Sequence, residues 1–175
     1  MNSIKPKSER LRRILTLWNT RRGDRILPER ADLPPTDFDP KDLPYLVLLD
    51  VSNEGQDFAY RLVGTGVVGF VGQEITGLSV SAYQRRHEEP EMVEAYAVAA
   101  KQNRPTLYDG TLKRFDKEFV VYERLALPLQ GRHRDGETHQ ILAAFDFQYA
   151  KAHLTGSKTS VWPHGPQRLP AVNFT

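Results

Sequence analysis

Residues 64–69 read Gly64-Thr65-Gly66-Val67-Val68-Gly69, a G-x-G-x-x-G spacing directly after an apolar run. In a dinucleotide-binding unit such glycines let a pyrophosphate approach a helix N-terminus. The surroundings point elsewhere. The preceding Phe-Ala-Tyr-Arg-Leu-Val holds Arg61 in its interior, whereas a central parallel strand is almost wholly apolar. Gly72 and Gly77 interrupt the following helix, and no apolar strand completes a β-α-β unit. Glu88 and Glu89 lie about 20 residues on, but they open a predicted helix instead of ending a strand. The segment therefore reads first as a short helix whose small residues pack closely on a sheet. Nucleotide binding by an enzyme is the weaker alternative.

Other chemistry is sparse. His133-Arg134-Asp135 copies a kinase catalytic-loop triplet, but it sits in a predicted hairpin turn without the Gly-rich loop or Asp-Phe-Gly that would give it meaning. The remaining histidines (His87, His139, His153, His164) form no metal-ligand spacing. There are no cysteines, which excludes a disulfide scaffold, a Cys-rich zinc site, a thiol nucleophile and a cysteinyl-flavin photosensor. No Gly-x-Ser-x-Gly elbow is present. Two charges stand out instead. Arg61 and Glu123 each interrupt an apolar-aromatic stretch, YRLVGT and YERLALPL. A buried unpaired charge is costly, so each needs solvent, a partner or a ligand. Exposure or a structural ion pair is the plainer reading; lining a pocket that orients a polar or anionic ligand is the sharper one. Arg61 and Glu123, with Thr65 in the glycine segment and Tyr96 on a helix face, are the candidate ligand-binding residues. No catalytic residue, cofactor or metal site is identified, and an unknown small molecule is the ligand expected.

These residues need elements to place them. Ser8–Arg22 reads as an amphipathic helix, with Leu11, Ile14, Leu15 and Trp18 on one stripe, Ser8 as N-cap and Gly23 as the stop. Five prolines between 28 and 44 make the next stretch an extended, folded-over connector. Strands are predicted at Tyr45–Val51 and Phe58–Val63, then a short helix or turn at Gly64–Gly72 and a helix at Glu88–Asn103. Three strands follow: Thr106–Leu112, Phe119–Leu127 and Thr138–Phe147, the last two separated by an Asp135-Gly136 turn dipeptide. Strands at both ends of a helical middle predict an antiparallel α+β domain. In the last two strands both alternating sets are largely apolar, so both sheet faces are expected to be at least partly covered, one by the middle helices and the other by the N-terminal helix or a second copy. The expected organisation is a helix and connector over 1–44, a domain over 45–150 and a mobile tail over 151–175.

The chain has 175 residues, 39% hydrophobic and 26% charged, with a net charge of +2. That length suits one domain plus appendages. The small net charge hides a segregation, +6 over residues 1–25 and −6 over 29–57. Aromatic and basic residues do not interleave as a stacking groove requires, so a solvated helix face, not nucleic acid, is expected. No apolar run approaches a membrane span, and the charged N-terminus is no signal peptide. A soluble, cytoplasmic protein is expected.

LTLWNTRRGDRILPERADLPP, LPYLVLLDV, FAYRLVGTGVVGFVGQEITG and YERLALPL together resemble a family of small, stand-alone bacterial PAS-like proteins. The similarity runs over about residues 10–148 and is most specific at Tyr60–Gly77, where YRLVGT is followed by GQEITG. The resemblance implies a five-stranded antiparallel sheet in the order 2-1-5-4-3, with short helices on one face. It also implies a non-enzymatic sensory domain that holds a small molecule between sheet and helices, or dimerises through its N-terminal helix. Without cysteine, flavin-adduct photochemistry and a thioester-linked chromophore are excluded, and no histidine lies in a clear haem-ligating context. No kinase, cyclase or DNA-binding segment is attached, so a signalling partner is expected. The expected homodimer uses Leu11, Ile14, Leu15 and Trp18. The rival reading is an interaction adaptor whose core is filled by its own side chains, among them Phe58, Tyr60, Phe70, Tyr96, Phe119, Tyr122, Phe145 and Phe147.

Overall fold

A computed structural model describes residues 4–87, 92–114, 117–131 and 134–149. Helix α1 spans Glu9–Arg22 and β1 spans Leu46–Ser52; β2 covers Asp57–Val63 and α2 covers Thr65–Val71. Helices α3 (Val80–His87) and α4 (Met92–Gln102) precede β3 (Thr106–Arg114), β4 (Lys117–Gly131) and β5 (Arg134–Tyr149). All strand pairs are antiparallel and the sheet order is β2-β1-β5-β4-β3, as expected.

The sheet is sandwiched between two apolar layers, because alternate residues of its central strands feed opposite faces. Val47 and Leu49 of β1, Ala126 of β4, and Ile141 and Ala143 of β5 join Val67, Val71, Ile75, Val80, Tyr83, Tyr96 and Ala99 in the inner core under α2–α4. The residues between them (Leu46, Leu48, Leu125, Leu127, Leu129, Leu142 and Ala144) form the outer core with Leu11, Ile14 and Trp18 of α1 and Leu27, Leu33 and Phe38 of the segment after it.

Helix α1 begins where the sequence places it. The Ser8 hydroxyl accepts from the Leu11 N–H at 3.4 Å, and Gly23 ends the helix at φ 56°, donating its own N–H to the Asn19 carbonyl. A left-handed stop of this kind favours glycine. The stripe on α1 faces the chain's own sheet. Leu11, Ile14 and Trp18 are buried under the chain's own sheet, Leu15 is half-buried beside them, and the Trp18 indole N–H donates to the Pro128 carbonyl of β4 at 3.0 Å. This corrects the expected dimer interface: the helix covers the outer face in cis, and its apolar stripe is spent there.

The proline-rich connector is not extended throughout. It makes three single-turn 3-10 helices at Arg30–Asp32, Pro35–Asp37 and Leu43–Tyr45, the last two with proline in the first turn, where its missing N–H costs no helical bond. It is tied to α1 by charge: Asp42, buried, accepts from Arg10 at 3.1 Å and from Arg13 at 2.9 Å. Helix α3 was not among the predicted elements, and β4 and β5 run longer than predicted. Asp135 and Gly136 lie within β5, not in a turn, beside register shifts at Leu129–Gly131. His133, Glu88, Glu89 and the 151–175 tail lie outside the described residues.

Candidate functional site

Between the inner sheet face and α2–α4 lies a cleft lined by Val47, Tyr60, Val67, Val71, Ile75, Tyr83, Met92, Tyr96, Tyr122, Arg124, Phe145 and Phe147. Every strand of the sheet except β3 contributes to this wall. The β2–α2 corner can close over it because of two glycines. A Cβ at Gly64 would collide with the Pro44 carbonyl, and one at Gly66 would meet the Tyr45 ring at 2.8 Å. The glycine segment thus packs on the turn before β1, and α2 is only seven residues long. At Gly64 and Gly66 the missing side chains thus make room for Pro44 and Tyr45, while Gly69 faces open space. Thr65, the first residue of α2, is exposed.

Aromatic side chains fill most of the cleft. Phe70 stacks on Phe147 with ring centroids 4.2 Å apart, and Phe147 stacks on Phe145 at 5.5 Å. Tyr122 lies against both at 5.9 Å. Its ring occupies the space over Gly110 of β3, where any Cβ would collide with it. Phe58 and Tyr96 meet at 5.7 Å, and Tyr60 meets Tyr83 edge-on at 6.2 Å. The space left free is about 30 Å³, room for about two water molecules. Of the aromatic fillers expected from the sequence, only the Phe119 side chain lies outside the described residues.

One full charge enters this apolar chamber. Arg124, on β4, is 3% exposed. Its guanidinium carbon lies 4.4 Å from the centre of the Tyr96 ring and 4.9 Å from that of Tyr108, the distances of cation–π contact. Burial works against its charge, but the tyrosines around it, Tyr96 and Tyr122 foremost, hold its proton more tightly than an ordinary arginine does. Among the described residues no carboxylate pairs with it.

The candidate residues are not brought together. Tyr96 lines the cleft. Arg61 does not: its side chain is 60% exposed at the edge strand and pairs with Asp50 at 3.0 Å. Glu123 is buried, yet on the opposite face, where its two carboxylate oxygens accept the backbone N–H groups of Lys7 at 3.0 Å and Ser8 at 2.8 Å. It therefore anchors the start of α1 and answers the positive end of that helix. The residue that sequence reasoning missed is Arg124, one position on; the signal was present in the same YERLALPL phrase, read at the wrong parity.

A second, larger hollow of about 630 Å³ is an open trough on the solvent side of α1, flanked by Arg12, Arg13 and Arg21. Its cations are already engaged, Arg13 by Asp42, Arg21 by Asp37 and Arg12 by the carbonyls of Pro6 and Lys7. Among the described residues no group of three or more His, Cys, Asp or Glu is placed to hold a metal, and no helix is long and apolar enough to cross a membrane.

In comparison with known proteins, a family model described as PAS domain matches residues 6–145. That span takes in α1 and the connector as well as the sheet. No curated protein and no solved structure matches the chain.

Proposed function

Because the chain belongs to the PAS domain family, whose members are in general sensory or signalling domains, we propose that it is a non-enzymatic sensor. It takes a small molecule into the cleft between the inner sheet face and α2–α4, and its output goes to a separate signalling protein. The observation that carries this reading is the buried guanidinium of Arg124 in an otherwise aromatic and apolar chamber. Pockets for small molecules combine an apolar lining with a few placed polar groups. The residues with polar groups in the lining are Arg124 and the tyrosines Tyr60, Tyr83, Tyr96 and Tyr122, types suited to holding and orienting a ligand. Native mass spectrometry of gently purified protein tests it: a co-purifying molecule lost on denaturation supports the reading, and a bare mass from every preparation counts against it.

The adaptor reading has one observation in its favour. The free space of about 30 Å³ is far below the roughly 300–1,000 Å³ of a drug-sized site, so the core is nearly filled by its own rings. A pull-down that recovers a stoichiometric kinase or regulator, with no small molecule on either, would favour the adaptor.

A further inference from the structure

From the setting of Arg124 we infer that the cleft is an anion site for a small planar carboxylate, of the size of acetate. This rests on reading the cleft as a ligand site, and it goes further by naming the ligand's charge and shape. Three observations combine. First, the guanidinium is buried at 3% exposure, with Tyr96 and Tyr108 rings near it and no carboxylate partner among the described residues. Ring contact offsets only part of what burying a full charge costs. An anion is the group that completes the balance. Second, a guanidinium presents its N–H groups as a flat fork that matches the two oxygens of a carboxylate. Third, the free space beside it, about 30 Å³, holds about two waters, close to the volume one acetate displaces. Apart from the tyrosines the wall is apolar, with Val47, Val67, Val71 and Ile75 among its residues, and holds no second charge; it suits a methyl group.

The test uses the full chain in a carboxylate-free buffer, titrated with carbon-13-labelled acetate by NMR and by thermal melting, with sodium chloride at equal ionic strength as the control. Wild type is expected to give a saturable acetate response that chloride does not reproduce. Arg124→Met should weaken it at least about tenfold, and Arg124→Lys, which keeps the charge but loses the fork, should fall between them. The lysine variant serves also if the methionine variant fails to fold. Equal acetate binding by wild type and Arg124→Met, or equal displacement by chloride, overturns the inference. A neutral molecule found in the cleft by native mass spectrometry overturns it too, while leaving the cleft a ligand site. No acetate response and no co-purifying molecule, with Arg124→Met melting higher than wild type, removes both readings.

Discussion

Glu123 and Arg124 are consecutive residues of β4 whose charges lie in different layers of the molecule, the carboxylate on the N-terminus of α1 and the guanidinium against Tyr96 of α4. In the ladder they stand opposite Asp109 and Tyr108 of β3 and opposite Asp146 and Phe145 of β5. Each face of the sheet thus keeps its character across three strands. Carboxylates line the outer side here, answered by Lys7 and Arg10 from the N-terminal layer; rings line the inner side. One strand therefore touches both the inner cleft and the layer that covers the sheet's back, so a displacement of Arg124 would have a short mechanical route to α1.

The Glu123 anchor should be the sensitive point of that route. Glu123→Gln keeps the size and one acceptor but removes the charge from two backbone N–H bonds, at 3.0 and 2.8 Å. Losing such charge-assisted bonds costs about 1.5–3 kcal/mol each at most. Hydrogen exchange should show amides of residues 7–14 losing protection in this variant while those of β5 stay protected.

Trp18 holds the other end of the same helix, buried in the outer core with its indole N–H on the Pro128 carbonyl. Trp18→Ala should destabilise the fold by about 3–5 kcal/mol, lowering Tm by on the order of 10 °C. Trp18→Phe, which retains a ring but not the donor, should cost about 1–3 kcal/mol by stranding the carbonyl. Thermal melts followed by circular dichroism separate the two.

Arg61→Ala should change little. The Arg61–Asp50 pair is open to water, with side chains 60% and 37% exposed, and pairs of this kind contribute about 0–1 kcal/mol. The same substitution should leave acetate binding unaltered, whereas a loss comparable to that of Arg124→Met would place Arg61 in the ligand's path after all.

Acid stability should depend on Asp57. Burial raises its pKa, but hydrogen bonds from the Ser81 hydroxyl at 2.6 Å, from the N–H groups of Phe58 and Ser81, and from Ser79 outweigh it and hold the carboxyl below its ordinary 3.8. A carboxyl depressed in the folded state adds stability that is fully present above its unfolded pKa and fades as pH falls through the folded one. The difference in Tm between wild type and Asp57→Asn should therefore be constant near neutrality and shrink below about pH 4. Ser81→Ala should shrink the difference seen near neutrality, because it removes the strongest of those bonds, and matter progressively less below about pH 4.

Much of the architecture is legible in the sequence. Apolar alternation located five strands, Ser8 and Gly23 bounded α1, and the doubly apolar late strands required a layer on each face of the sheet. Helix α3 was not legible, since VSAYQRRH is short and mostly polar, and its burial of Val80 and Tyr83 depends on where β2 and α4 lie. Nor could the sequence say which charge of Tyr122-Glu123-Arg124-Leu125 turns inward. With apolar residues on both faces of a strand, a shift of one residue exchanges the faces without any local penalty. The register settles it: pairing Arg124 with Phe145 and Leu125 with Ala144 sets every second side chain of β4 toward α4. The side chains themselves wrote the alternation, but only the assembled sheet decided which half of it would line the inner cleft.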